Sequence, residues 1–236
     1  MLPYRYQRFL TDISALVPQG RLFTDPLRTL AYGTDASFYR LIPKIVVRAD
    51  TEEEVAAILK AADHADTPVT FRAAGTSLSG QAVSDSVLVV AGGSWNRYEI
   101  IDNGGGIRLQ PGVIGGHANR YLAPYGRKIC PDPASINSAM IGGIAANNAS
   151  GMCCGTSQNS YRTVTGMRIL FQDGTLLDTA DPASRDEFRY ARKDLIDAVD
   201  ALGKEVRANT ALAERIRRKY KIKNTTGFSL NALVDF

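Results

Sequence analysis

The first ninety residues alternate between strand-like and helical patterns of apolar positions. Residues 4–17 carry apolar side chains at helical spacing, which predicts a helix. The apolar run "IPKIVVRA" predicts a buried strand. The following "TEEEVAAILKAADHAD" predicts an amphipathic helix, with a capping box formed by Thr51 and Glu54. Two further apolar runs, "PVTFRA" and "SVLVVA", complete an order typical of a βαβ unit with parallel strands.

The pattern changes after Gly93. "RYEIID" and "IRLQPGV" flank the turn sequence "NGGG" and predict a hairpin, and Asp173-Gly174 predicts a second hairpin. A charged helical pattern runs from about Asp194 to Tyr220. We therefore expect an α+β fold with two lobes, a small parallel βαβ lobe and a larger lobe with an antiparallel sheet and flanking helices. The predicted division is a helical extension over 1–39, lobe one over about 40–93 and lobe two over about 94–236.

Composition indicates a soluble globular protein. Hydrophobic residues make up 44% of the 236 residues and charged residues 22%, and no apolar run reaches the eighteen residues typical of a membrane span. The N-terminus lacks the pattern of a signal peptide. Cys130, Cys153 and Cys154 have no metal-binding CxxC spacing, which favours a reducing, cytoplasmic location.

Positive charge is concentrated near the C-terminus. The segment "RIRRKYKIK" carries six cations between Arg215 and Lys223, more than the whole net charge of +4. A basic stripe can bind nucleic acid, but it is more often the solvated face of a helix. Because Tyr220 is the one aromatic residue in the run, we expect no nucleic-acid partner.

The segment "RAAGTSLSG" half-matches a nucleotide-triphosphate loop. We expect it to lie where a strand leads into a helix, so that consecutive main-chain N–H groups form an anion-binding nest. The lysine and the Mg²⁺-binding hydroxyl of a triphosphate loop are replaced by Gln81 and Ala82. A pyrophosphate without a transferred phosphoryl group suits this segment better. A glycine-rich turn packed on a strand explains the residues equally well.

A second segment, "CPDPASINSAMIGGIAANNASG", joins stiff prolines, a glycine pair and two asparagines. Glycines let a ring or sugar lie against the main chain, and the amides of Asn147 and Asn148 can donate to and accept from a flat heterocycle. The alternative is an ordinary long loop, although long loops in compact domains are usually functional or disordered. We also interpret Cys153 and Cys154 as packed or idle thiols, and His64 and His117 as ordinary helix residues.

Together these motifs, with "PKIVVRA" before them and "DGT" after them, resemble the FAD-binding domain of the FAD-linked oxidases, the superfamily of vanillyl-alcohol oxidase and p-cresol methylhydroxylase. Within it the chain is most similar to FAD-dependent D-2-hydroxy acid dehydrogenases of the D-lactate, D-2-hydroxyglutarate and glycolate type. The resemblance covers roughly residues 40–236.

The resemblance implies a set of residues around FAD. The pyrophosphate is expected at Arg72, Ala73, Ala74, Gly75, Thr76, Ser77, Gly80 and Gln81. The ribityl chain and ring are expected beside Pro131, Asp132, Ser135 and Ser138. The flavin and its pyrophosphate are expected along Met140, Gly142, Gly143, Asn147, Asn148, Ser150 and Gly151, with Val164 at the adenine end. Members that bond FAD covalently through this loop have a histidine where this chain has Thr76, so the resemblance implies noncovalent FAD.

The tail "KNTTGFSLNALVDF" is similar to the stretch that precedes a glycine-rich segment in these dehydrogenases, and the "CC" pair resembles long members with an iron–sulfur half. The family has a substrate-binding cap domain, which we do not find in this sequence. We therefore expect a fragment, truncated before the end of the FAD-binding domain and inactive alone, with any iron–sulfur cluster confined to an absent C-terminal part.

The implied activity is hydride transfer from a 2-hydroxy acid to FAD, with the electrons passed on to an acceptor. Peripheral membrane association is compatible with it. No residue is assigned as catalytic. The alternatives are a nucleotide-binding module without catalysis and a flavoenzyme similar to the peptidoglycan-precursor reductase.

Overall fold

The computed structural model describes residues 2–222 and 229–236. The "KNTTGF" part of the tail resemblance therefore lies outside the described residues. By their internal contacts the residues form two compact units. The first unit comprises Met1–Ile129, Ala134–Ala146 and Leu170–Thr175, and the second comprises Cys130–Pro133, Asn147–Ile169 and Leu176–Phe236.

Helices and strands alternate in the first unit as far as β3, after which three further strands precede two helices. Its strands are β1 (Leu22–Phe23), β2 (Ile45–Arg48), β3 (Val69–Arg72), β4 (Val87–Val90), β5 (Tyr98–Ile101) and β6 (Gly106–Leu109). Its α-helices are α1 (Tyr4–Ile13), α2 (Pro26–Ala31), α3 (Glu52–His64), α4 (Gly115–Leu122) and α5 (Ile141–Ala146).

A mixed four-stranded sheet lies at the centre of the first unit, in the order β1-β2-β4-β3. Strands β2 and β3 both run parallel to β4, which confirms the predicted parallel βαβ unit. Strand β1 pairs antiparallel with β2, with Leu22 opposite Val47. The sequence pattern did not reveal this strand, because two residues are too few to show alternation. Residues 1–39 thus contribute helices α1 and α2 and strand β1 to this unit.

The two faces of the sheet are buried in different clusters, because successive side chains of a strand point to opposite sides. The larger cluster joins one face of the sheet to helices α1 and α3. It includes Phe9, Ile13, Ile45, Val47, Ile58, Val87 and Val89, all of them 0% exposed. The smaller cluster joins Val46 and Leu88 to Phe23 of β1. Burial of such a side chain is worth about 1.5–3 kcal/mol, so the continuous apolar runs fix these strands at the centre.

Thr51 caps helix α3 at its N-terminus, because its hydroxyl accepts the N–H of Glu54 at 3.2 Å. This confirms one half of the predicted capping box. The other half differs, because the Glu54 carboxylate accepts from the N–H of Asp50 at 2.7 Å. It also forms two hydrogen bonds with Arg21, at 2.7 and 2.5 Å. Glu54 therefore fixes the β2–α3 connection to the short helical turn before β1.

The hairpin of β5 and β6 is antiparallel as predicted, with Tyr98 opposite Leu109. Its turn has left-handed main-chain angles at Asp102, Asn103 and Gly104, which explains the run of asparagine and glycine there. The hairpin belongs to the same unit as the mixed sheet. The predicted lobe boundary near residue 93 stays a prediction.

The second unit contains helices α6 (Ser160–Thr163), α7 (Pro182–Ala191), α8 (Lys193–Ala208), α9 (Thr210–Lys219) and α10 (Ala232–Asp235). Strands β7 (Arg168–Leu170) and β8 (Leu176–Asp178) form a two-stranded sheet, and the predicted turn between them has Gly174 at φ +81°. The charged pattern predicted after Asp194 is broken at Asn209. The side chain of Asn209 accepts the N–H of Leu212 and so caps α9.

Helix α9 carries four of the five described cations of the basic stripe, and Lys221 follows it. Its Ala213 and Ile216 pack with Val234 in a small apolar cluster. Arg215, Arg217, Arg218 and Lys219 are exposed around the remainder of the helix. The cations on α9 therefore lie on the solvated side of an amphipathic helix, which is the interpretation that the sequence favoured.

Candidate functional site

The segment that leaves β3, residues 73–82, forms a loop of turns and bends that we call the 73–82 loop. Gly75 and Gly80 have φ values of +71° and +70°, which favour glycine. The Ser77 hydroxyl accepts the N–H groups of Ser79 at 3.2 Å and Gln81 at 3.3 Å. The expectation of a helix after this loop is wrong: the chain passes through further turns into β4. The loop is closed by a serine side chain, without help from a helix N-terminus.

The loop presents a row of main-chain donors. Within the described residues, the N–H groups of residues 73–78 form no hydrogen bond with the protein. Residues 73–77 are half-buried. Consecutive main-chain N–H groups without a protein partner can bind an anion together, so this row is a candidate anion site.

The side chain of Arg72 packs beside Gly75 in this loop. Its guanidinium donates to the main-chain oxygen of Thr34 at 2.7 Å and of Tyr32 at 3.3 Å. A Cβ atom added to Gly75 would lie 2.6 Å from Nη2 of Arg72. The guanidinium therefore occupies the space beside Gly75 and supports the loop.

The first part of the glycine-rich segment, residues 134–146, also belongs to the first unit. The main-chain oxygen of Ser135 accepts the N–H of Ser138 at 2.8 Å, and Met140 forms a β-bridge with Ile114. Gly142 packs on Pro111, where an added Cβ would lie 2.8 Å from the proline ring. Gly143 lies next to the 73–82 loop, since its added Cβ would be 3.9 Å from Cβ of Ala73. The structure thus brings two of the predicted FAD segments together at Ala73 and Gly143.

The remaining predicted residues lie in the second unit. Asn148 has φ +43°, and its side-chain oxygen accepts the N–H of Tyr161 at 2.9 Å. Gly151 lies directly against Asp132, because an added Cβ would be 1.8 Å from the Asp132 carboxylate. Asn147 and Val164 are exposed, and Pro131 is buried. Asp132 and Gly151, predicted from separate motifs, are therefore in contact.

Two of these residues hold polar atoms that lack a partner. Oδ1 of Asp132 and Oγ of Ser150 are buried and form no hydrogen bond with the described residues. A buried oxygen without a partner costs roughly 1–3 kcal/mol, and a ligand that supplies the partner recovers it. Because both residues were predicted to contact FAD, the structure fits a ligand with hydroxyl or N–H donors here.

Sequence reasoning missed Asp35 and Tyr161. Burial alone raises the pKa of Asp35, but hydrogen bonds from Ser37 and from the N–H of Ala82, together with the charge of Arg72, lower it below its ordinary value. Burial raises the pKa of Tyr161, and a hydrogen bond from its hydroxyl to Asp235 raises the pKa further. Asp35 followed two residues later by Ser37 is a local sign of an Asx turn, whereas the contact with Ala82 leaves no sign in the sequence.

Cys154 packs against the candidate site, whereas Cys153 and His64 are exposed. Cys153 is exposed, and buried Cys154 accepts the N–H of Gly151 at its sulfur. His64 lies on the surface between Arg8 and Asp12. In the described ranges no three or more His, Cys, Asp or Glu side chains are grouped to hold a metal ion. None of the helices described combines the length and the apolar composition of a membrane-spanning segment.

Comparison with known proteins agrees with this geometry. A family model described as an FAD-binding domain matches residues 43–180. D-2-hydroxyglutarate dehydrogenase of Escherichia coli K12 is 31% identical over 175 residues, which cover 72% of this chain and 17% of that protein. Glycolate oxidase subunit GlcD of the same organism is 38% identical over 120 residues, which cover 50% of this chain and 24% of that protein.

A solved structure of p-cresol methylhydroxylase with bound substrate has a TM-score of 0.63 and 15% identity, and the match covers 77% of this chain and 37% of that one. This likeness confirms the predicted fold. The chain spans about a fifth of the length of the two curated relatives.

Proposed function

Because the chain belongs to the family of FAD-binding domains, we propose that it holds the FAD of an oxidoreductase that oxidises a 2-hydroxy acid of the D-lactate, D-2-hydroxyglutarate or glycolate type. The observation that carries the proposal is the row of N–H groups at residues 73–78, which have no partner among the described residues. FAD, when bound, supplies an acceptor for the hydride equivalent that leaves C2 of the acid.

The 73–82 loop has the properties of a pyrophosphate site. Its N–H groups donate to phosphate oxygens, and the small side chains of Ala73, Ala74 and Gly75 allow close approach. Gln81 replaces the lysine of a triphosphate loop, which suits a ligand whose phosphates are held and never transferred.

In the second unit we assign Asp132 and Ser150 to the hydroxyl and N–H groups of the cofactor. A carboxylate oxygen can only accept, so Oδ1 of Asp132 requires a donor. The Ser150 hydroxyl can both donate and accept. Asp132 lies against Gly151, the residue that follows Ser150.

We further propose that the FAD is noncovalent, because Thr76 stands where covalent members of the resembling family have a histidine. A threonine hydroxyl offers no ring nitrogen for a bond to the flavin. Acid precipitation of the holoprotein is expected to leave all the flavin in the supernatant, and flavin retained on the pellet would contradict this.

The electrons require an acceptor, which we propose to be a separate redox partner of the complete enzyme. The three cysteines are free thiols, which supports a reducing compartment, and we propose the cytoplasm. Cell fractionation that found the protein in an oxidising compartment would overturn this location.

Substitution of Ser150 tests the cofactor assignment. Ser150→Ala removes a buried oxygen without a partner, so the protein without FAD is expected to gain about 0.5–1.5 kcal/mol in free energy of unfolding while FAD affinity falls about three- to tenfold. Ser160→Ala is the matched control for stability. Its hydroxyl donates to the main-chain oxygen of Ala149 at 3.0 Å, so its loss is expected to destabilise the protein. Lower stability in Ser150→Ala with unchanged FAD affinity would contradict the assignment.

The reaction is tested separately, on the complete FAD-loaded enzyme under anaerobic conditions. Flavin bleaching on addition of D-lactate, D-2-hydroxyglutarate or glycolate, reversed by an artificial electron acceptor, would establish the substrate. Bleaching by none of the three, in the complete enzyme, would refute 2-hydroxy acid oxidation and leave FAD binding standing.

A further inference from the structure

We propose that Asp35 is a positioning residue for the cofactor: with Arg72 it fixes the 73–82 loop to residues 32–39, here called the 32–39 segment, and so sets the affinity for the pyrophosphate half of FAD. The proposal rests on the proposed function. The 32–39 segment lies before the range matched by the family model, which begins at residue 43.

The first end of the loop is held by Arg72. Its guanidinium donates to the main-chain oxygens of Thr34 and Tyr32, and its carbon lies 6.0 Å from the centre of the Tyr32 ring. The N–H of Ala36 donates to the main-chain oxygen of Gly75 at 3.0 Å. The left-handed turn at Gly75 is therefore held by two contacts: the Arg72 guanidinium beside its Cα atom and the Ala36 N–H on its main-chain oxygen.

The second end is held by Asp35. One carboxylate oxygen accepts the N–H of Ala82 at 3.3 Å, and the other accepts the N–H of Ser37 at 2.8 Å. The ring of Tyr39 packs on Gly80, where an added Cβ would lie 2.8 Å from it. One carboxylate thus bridges the end of the loop and the 32–39 segment.

The negative charge of a carboxylate beside an anion site repels the anion unless nearby groups compensate for it. The positive charge of Arg72 acts on Asp35, and two main-chain N–H donors stabilise the half-buried carboxylate. These contacts let Asp35 remain ionised without repelling the phosphates strongly. Arg72 consequently serves the loop through its charge as well as its hydrogen bonds.

The loop depends on this bracing, because the N–H groups of residues 73–78 make no hydrogen bonds of their own to the described protein. A ligand that binds a loop already held in its bound conformation avoids the entropic cost of ordering it. Loss of the brace is therefore expected to weaken ligands that contact the loop and to spare those that do not.

The test compares Asp35→Ala and Asp35→Asn with Asp66→Asn, a matched change at an exposed aspartate of the same unit. Dissociation constants are measured for FAD, ADP and riboflavin. In Asp35→Ala, binding of FAD and ADP is expected to weaken roughly tenfold, as lost preorganisation implies, with riboflavin unchanged. Asp35→Asn keeps one acceptor oxygen, so its dissociation constants for FAD and ADP are expected to lie between those of wild type and Asp35→Ala. The dissociation constants of Asp66→Asn are expected to equal those of wild type.

Equal weakening of FAD and riboflavin, or FAD affinity within twofold of wild type in Asp35→Ala, would overturn the proposal. A second readout needs no cofactor: amide hydrogen exchange in the protein without FAD is expected to speed up at Ser37 and Ala82 in Asp35→Ala. Unchanged exchange there would also overturn it. If wild type binds no FAD, the proposed function fails, and the exchange result alone decides whether Asp35 braces the loop.

Discussion

Gly75→Ala tests the 73–82 loop at its tightest point. The glycine has φ +71°, where a residue with a Cβ loses roughly 1–2 kcal/mol. The new Cβ would also lie 2.6 Å from Nη2 of Arg72, a guanidinium already bonded to Thr34, so the side chain must shift as well. If the altered loop relaxes in the absence of FAD, binding must restore the strained conformation. The free energy of FAD binding then becomes less favourable by the same amount. That cost corresponds to an affinity about five- to thirtyfold weaker.

Gly126→Ala is the matched control. Its glycine has φ +65°, but no atom lies within 4 Å of an added Cβ. Gly126→Ala is expected to lose about 1 kcal/mol in free energy of unfolding by urea denaturation. In Gly75→Ala the empty loop relaxes, so titration calorimetry should show weaker FAD binding in this variant only. The reasoning is refuted if Gly75→Ala binds FAD within twofold of wild type, or if Gly126→Ala is weakened as much.

Two further predictions concern charged groups. Arg21→Ala is expected to lower the free energy of unfolding by about 2 kcal/mol, because it leaves the buried Glu54 carboxylate without two short hydrogen bonds. Arg108→Ala, which removes an exposed pair with Glu99, is expected to cost no more than about 0.5 kcal/mol; equal losses in urea denaturation would contradict this. The lowered pKa of Asp35 adds stability that is present above the ordinary pKa near 4 and is lost as pH falls through the lower folded-state value. The stability difference between wild type and Asp35→Asn should therefore shrink below about pH 4, and a difference independent of pH between 7 and 3 would contradict it.

The three parallel strands β2, β3 and β4 were predictable because they are apolar runs separated by turn signals, whereas the two-residue strand β1 was not. Helix α3 was predictable for a similar reason, since Thr51 and the apolar face mark its start and its buried side. Helices α2 and α7 were missed, although each begins with Asp-Pro, at Asp25 and at Asp181, a recognised helix start. Helix α2 is only six residues long, and Phe188 is the one buried side chain of α7, so hydrophobic periodicity alone did not reveal them.

The candidate site was predictable as a list of residues and not as an arrangement. The motifs identified Asp132 and Gly151 separately, and only the fold brings them into contact. The helix expected after the 73–82 loop is absent because a serine side chain and Asp35 close the turns there. The role of Asp35 depends on a partner 47 positions away in the chain, and such long-range contacts have no local sequence pattern.

Calorimetric titration of the purified chain with FAD tests the central claim most directly. We predict saturable binding of one FAD per chain. ADP should compete with this binding, and acid should release all the flavin. Absence of saturable binding, or binding that ADP does not compete, would contradict the assignment of the 73–82 loop to the pyrophosphate of FAD.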